Sequence, residues 1–86
     1  MARRVRLHFY GRLREDAGGA MREAEIPDHI QTTDDLVEWL AAENNALGEA
    51  LRHPSVRAAA GDAIILRGAD IRQAAEIAFL PPFSGG

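Results

Sequence analysis

From Arg4 to Tyr10 the chain alternates, with Val5, Leu7 and Phe9 on one face and Arg4, Arg6, His8 and Tyr10 on the other. A period of two belongs to a half-buried strand, so this stretch predicts the first strand. Gly11 and the run Asp16-Ala17-Gly18-Gly19 supply loop backbone, and Met21 to Ile26 predicts a weaker returning strand ended by Pro27. The period then changes. Leu36, Val37, Leu40 and Ala41 recur at helical spacing behind Thr32-Thr33-Asp34-Asp35, where side-chain oxygens can cap a helix start and negative charge suits the positive end of its dipole. Leu47 and Leu51 add a further turn or two before His53-Pro54 stops the helix. Trp39 lies beside the apolar stripe, either covering the edge of the core or facing a partner.

Beyond the helix, Val56 to Ala60 and Ala63 to Leu66 flank Gly61-Asp62 and predict a hairpin. Arg67 to Ala75 is irregular, and Glu76 to Leu80, with Ile77 and Phe79 on one face, predicts the last strand. A hairpin followed by a crossover helix favours an α+β fold. In it the first and last strands lie parallel in a mixed β-sheet packed on one main helix.

Eighty-six residues, 47% of them hydrophobic, make one domain with a modest core. The absence of cysteine excludes disulfides, thiolate zinc sites and a cysteine nucleophile. The start, Met-Ala-Arg-Arg-Val-Arg, leads into alternation rather than an apolar run, so neither a signal peptide nor a membrane span is expected and the protein reads as cytoplasmic. Arg3, Arg4, Arg6, Arg12 and Arg14 crowd the beginning, but no nucleic-acid-binding motif accompanies them, and a protein-docking patch or solvated strand edge is the better reading. All ten basic residues are arginine, so no lysine of this chain can accept an acyl group.

Side-chain chemistry is sparse. His8, His29 and His53 match no metal spacing, and neither Ser55 nor Ser84 has a base nearby in sequence. Asp34 and Asp35 diverge by about 100° on a helix and are better explained by capping than by acid–base work. Gly18-Gly19 lacks the spaced glycines and lysine of a phosphate loop and reads as a turn.

What remains is the end, Phe79-Leu80-Pro81-Pro82-Phe83-Ser84-Gly85-Gly86. The prolines end the strand at Leu80 and stiffen the exit, dividing a domain of residues 1–80 from an extended tail of residues 81–86. Gly85 and Gly86 have no Cβ, so a flexible Gly-Gly tail can thread a channel too narrow for side chains. The carboxylate of Gly86 is the candidate reactive group.

Two segments together resemble the small, sulfur-carrying subunit of molybdopterin synthase, the MoaD family of ubiquitin-like proteins. Phe9-Tyr10-Gly11-Arg12-Leu13-Arg14-Glu15-Asp16-Ala17-Gly18 is similar to that family's exit from its first strand, and Ile77 to Gly86 is similar to its last strand, Pro-Pro and Gly-Gly. Two departures stand out: Gln73-Ala74-Ala75-Glu76 lacks the usual turn glycine, and Phe83 stands where a smaller residue is usual. The resemblance implies a β-grasp fold with no cofactor bound by this chain and no turnover of its own. By the same resemblance, an ATP-using, ubiquitin-activating-like adenylyltransferase would adenylate Gly86, a sulfur donor protein would supply sulfur, and the resulting thiocarboxylate would serve the large catalytic subunit of molybdopterin synthase. Pro81, Pro82, Ser84 and Gly85 would thread the tail, and Phe79, Leu80, Phe83 and Arg14 would dock the partner. Related carriers for thiamine thiazole or amino-acid biosynthesis, and ubiquitin-like modifiers, remain open as alternatives.

Overall fold

The computed structural model describes residues 1–82. Its elements are β1 (Ala2–Phe9), α1 (Leu13–Ala17), β2 (Met21–Pro27), α2 (Thr33–Glu43), α3 (Asn45–Arg52), β3 (Arg57–Ala60), β4 (Ala63–Ile65) and β5 (Glu76–Leu80). They form one sheet in the order β2-β1-β5-β3-β4. β1 and β5 run parallel at its centre, Arg6 to Phe9 against Glu76 to Phe79, and the other pairings are antiparallel. The expected parallel contact between first and last strands is therefore present.

One face of each central strand supplies the core: Val5, Leu7 and Phe9 from β1, Ile77 and Phe79 from β5, and Ala24 and Ile26 from β2, packed with Leu36 and Leu40 of α2 and Leu47 and Leu51 of α3. Trp39 packs partly buried against the rim of this core, with the Arg22 guanidinium 5.8 Å from its ring centroid. Cation and ring attract there through the ring quadrupole, and Arg22 also pairs with Glu43.

α2 starts where the sequence places it, and the reason is a reciprocal cap. The Thr32 side chain accepts from the Asp35 N–H at 3.1 Å, and the Asp35 carboxylate accepts from the N–H groups of Gln31 at 3.0 Å and Thr32 at 3.2 Å. Backbone donors that the first turn would orphan are thus satisfied. Asp35 is a capping residue, and these bonds, that from Gln31 foremost, hold its carboxyl below its ordinary range.

Two elements differ from expectation. The loop after β1 contains a short helix, α1, because Leu13 buries itself in the core and the carbonyl of Arg14 accepts from Gly18 at 2.9 Å and Gly19 at 3.0 Å, with Gly18 left-handed at φ 82°. The single main helix is followed by a separate one, α3. Asn44 breaks the run: its backbone is extended, its Oδ1 accepts from the Leu47 N–H at 3.1 Å, and its Nδ2 donates to the Asp16 carbonyl at 2.7 Å. One side chain therefore starts α3 and ties it to the end of α1. The hairpin turns on Gly61 at φ 62°, and β4 ends at Ile65, where the carbonyl of Leu66 turns away to accept from Thr33 Oγ1 at 3.4 Å.

Arg3 fastens the bottom of the molecule. Its guanidinium donates to the carbonyls of Ile30 at 2.9 Å and Ile71 at 3.4 Å, joining two loops 41 residues apart in sequence, while its Nε is buried without a partner. Asp70 in the second loop bridges to Thr32, and its carboxylate is gripped by Arg72, which lowers its pKa to about 2.

Two outcomes follow from this packing. A Cβ at Gly48 would sit within 2.8 Å of the Ala41 Cα, so Gly48→Ala should cost about 1–3 kcal/mol, whereas Gly19→Ala, with open space around it, should cost far less; denaturant melts of both variants check the contrast. Asp35 and Asp70 both have depressed folded-state pKa values, so each stabilises the fold above its unfolded value near 3.8 and loses that contribution as pH falls through its folded value, which for Asp70 is about 2. Tm followed through that window should drop less for Asp70→Asn than for the parent chain.

Candidate functional site at the exit of the last strand

β1 and β5 end side by side. Phe9 and Phe79 are register partners whose rings stack with centroids 5.8 Å apart, and the Tyr10 N–H donates to the Phe79 carbonyl at 3.2 Å. At Pro81 the pairing must stop, since proline has no N–H to give. The chain leaves through a close contact with the first turn after β1. Gly11 has φ 58°, and a Cβ there would lie 2.7 Å from Pro81 Cγ. Glycine is thus required twice, for its left-handed backbone and for the space that seats Pro81.

Gly11 is also held from the other side. Its carbonyl accepts from the backbone N–H of Arg14 and from Arg14 Nε, each at 3.2 Å. Arg14, expected as a docking residue, thus makes a carbonyl contact within its own turn, where it braces the seat of Pro81. The two sequence segments that carry the resemblance thus meet in space, residues 9–18 forming the socket and residues 77–82 the strand that leaves it.

Phe79 requires a correction as a docking residue. Only 2% of it is exposed, because it points with Ile77 to the helix side of the sheet and completes the core on Phe9. Leu80 alternates to the opposite face and is half-buried. That outer face, away from the helices, carries Ala78 and Leu80 of β5, Ala59 of β3 and Ile64 of β4, with Leu66 just beyond. Ile64 is 61% and Leu66 82% exposed, so the apolar strip continues to the sheet edge. Toward β1 and β2 the same face becomes charged: Glu76 lies 3.0 Å from His8 Nε2 and 3.5 Å from Arg6, and Arg4 lies 3.0 Å from Glu25. Pro81 is half-buried and Pro82 exposed, while Phe83, Ser84, Gly85 and Gly86 lie outside the described residues.

Sequence reasoning missed Ile64 and Leu66 as surface groups and missed why Gly11 must be glycine. The signal for the first was the apolar run Ala63 to Leu66 on the last strand of a hairpin; the second follows only from the register that brings Gly11 to Pro81. Among the described residues, no cluster of three or more histidine, aspartate or glutamate side chains could hold a metal, and no helix is long and apolar enough to cross a membrane.

A match to the ThiS family spans residues 7–86, both segments of the exit included. The chain belongs to the ThiS family. These are small ubiquitin-like sulfur carriers, not themselves catalytic, whose members work with catalytic subunits and activating enzymes. No curated protein matches the sequence.

Solved structures place this ThiS-family chain in the ubiquitin-like β-grasp fold. Small archaeal modifier protein SAMP1 from Haloferax volcanii is similar at TM-score 0.76 and 20% identity, over 98% of this chain and 100% of that one. The Haloferax volcanii HVO 2177 protein is similar at TM-score 0.78 and 22% identity, over 99% of this chain and 88% of its own. A protein assigned as molybdopterin converting factor, subunit 1, from Pyrococcus furiosus is similar at TM-score 0.75 and 19% identity, over 92% and 97%. At these identities the likeness is one of fold.

The socket makes an energetic prediction. Gly11→Ala should destabilise the domain by about 2 kcal/mol or more, from left-handed backbone cost and overpacking together. Adding Pro81→Ala should recover the overpacking part and leave about 1–2 kcal/mol of backbone strain. A double-mutant cycle in denaturant measures the coupling.

Proposed function

We propose that this chain is the sulfur carrier of a molybdopterin synthase, with the carboxylate of Gly86 as its reacting group. The observation that carries the reading is the family match running through Gly86, on a chain whose last strand ends in a braced socket. Carboxylates are poor acyl electrophiles, so activation must come first. A Gly86 oxygen attacks the α-phosphorus of ATP on the adenylyltransferase and pyrophosphate leaves. A persulfide sulfur of the donor protein then adds to the carbonyl, AMP departs, and a thiol reductant frees the thiocarboxylate from the acyl disulfide.

The chain's own contribution is reach and placement. Pro81 and Pro82 set the direction of exit, and four residues beyond Pro82 give a reach of at most about 14 Å. Phe83 and Ser84 begin that span, and Gly85 and Gly86 finish it without side chains, which suits insertion into the large catalytic subunit. Leu80, continuous with Ala78 and Ile64 on the outer face and with Leu66 just past the end of β4, gives that subunit an apolar surface beside the tail. The preference for molybdopterin over other sulfur pathways rests on the Phe-Leu-Pro-Pro-Phe approach to the tail.

Intact mass spectrometry of the chain from its native host should show one terminal oxygen replaced by sulfur, and that form should sulfurate the pterin precursor with the large subunit. Deleting Gly86 should leave Tm and large-subunit binding unchanged while abolishing transfer, because the reactive carbonyl retracts by roughly 3.5 Å and reaction needs contact at about that distance. Full transfer by the deletion variant would refute the assignment of Gly86. Sulfur on Gly86 without transfer to the pterin would move the chain to another sulfur pathway, and an isopeptide bond to a target lysine would make it a modifier.

A further inference from the structure

β4 ends the sheet, paired only with β3. The two-residue turn at Gly61-Asp62 fixes which groups it leaves open. Ala60 and Ala63 flank the turn as a hydrogen-bonded pair, so Ala59 and Ile64 form the next, non-bonded pair. The N–H and C=O of Ile64 therefore point outward from the sheet edge, available to another strand.

Both faces of this edge are apolar. On the outer face stands the exposed Ile64, with the exposed Leu66 just past the end of the strand. On the helix side a groove of about 560 Å³ separates β4 from α2 and α3, floored by Val37, Leu51, Val56, Ile65 and Phe79. A strand laid along β4 would thus meet apolar side chains on both its faces, in the groove on one and beside Ile64 on the other, which favours a continuous apolar run over an alternating one.

The charge beside the groove selects the rest of the ligand. Arg57 and Arg67 line it at the Leu66 end, and among the described residues neither has a carboxylate partner. Each is nonetheless held in place by carbonyls at the end of α3: Arg57 Nη1 donates to Pro54 at 3.3 Å, and Arg67 Nη2 to His53 at 2.6 Å and Arg52 at 3.4 Å. Two guanidiniums are thereby fixed on one short segment with donors to spare. Among the described residues, Asp34 is the single acid lining the groove.

We infer that the β4 edge is a second docking surface, which takes an extended segment of a partner protein by strand addition: a short run of branched apolar residues ended by carboxylates that meet Arg57 and Arg67. Backbone pairing at Ile64, side chains in the groove and charge at one end would each contribute. The groove reaches Phe79 at its floor, but β3 stands between the β4 edge and β5, so a protein holding this edge does not cover Pro82. Arg57, the register partner of Leu80, borders both, and Ile64 and Leu66 also end the apolar strip that leads to Leu80.

The test uses the full chain, isotopically labelled, titrated with a peptide of valines and isoleucines ended by two aspartates, and with the same peptide ended by two lysines. The aspartate form should shift the amides of Ala63 to Leu66 and Val37, bind more weakly as salt rises, and bind at least about fivefold more weakly to Arg57→Glu/Arg67→Glu. Arg57→Lys/Arg67→Lys should restore most of that loss, and the salt titration of the parent chain reads the same charge should the glutamate variant misfold. No binding by the aspartate peptide, equal binding by the lysine peptide, or shifts confined to Ala78 and Leu80 would each overturn the proposal. Concentration-dependent shifts of the β4 amides without peptide would assign the edge to a second copy of the chain and overturn it too.

Discussion

The parallel pairing of β1 with β5 is the contact on which the remaining structure depends. It joins residues 70 positions apart, Arg6 with Glu76, and places the first and last strands at the centre of the sheet. Closing so long a loop costs conformational entropy that local bonds cannot return. Burial repays it: Leu7, Phe9, Ile77 and Phe79 come together under the helices, and the Phe9–Phe79 stack completes the arrangement at the end from which the tail departs. The same register delivers Pro81 to Gly11, so core packing and tail placement are one event.

Much of this was legible from pattern. The alternation of Arg4 to Tyr10 and of Glu76 to Leu80, the Thr32–Asp35 cap and the Gly61 turn are local signals read by local physics, and each element formed where its pattern lay. α1 and the break between α2 and α3 escaped for the same reason: each depends on contacts from elsewhere, Leu13 entering the core and the Asn44 amide reaching Asp16. A five-residue helix carries too little periodicity to announce itself.

At the candidate site the sequence showed what was special but not why. Pro-Pro and Gly-Gly declare themselves by composition, whereas Gly11 is an ordinary loop glycine until the fold brings Pro81 against it. Phe79 was misplaced because a tail-proximal aromatic looks like an anchor, while its alternation with Leu80 already divides the two between core and surface. The sheet's outer face shows a similar division, with charge pairs over β1 and β2 and an apolar strip over β5, β3 and β4.

β5 is bonded along both edges, to β1 on one side and β3 on the other, and the tail is its direct continuation. A force applied to the chain at Pro81 in the direction of the strand therefore pulls along the axis of β5. The ladder bonds run across that axis, so the load falls on them together rather than one at a time. Traction of this kind shears the sheet's centre instead of peeling an edge, and the carrier can be handled by its end without coming undone.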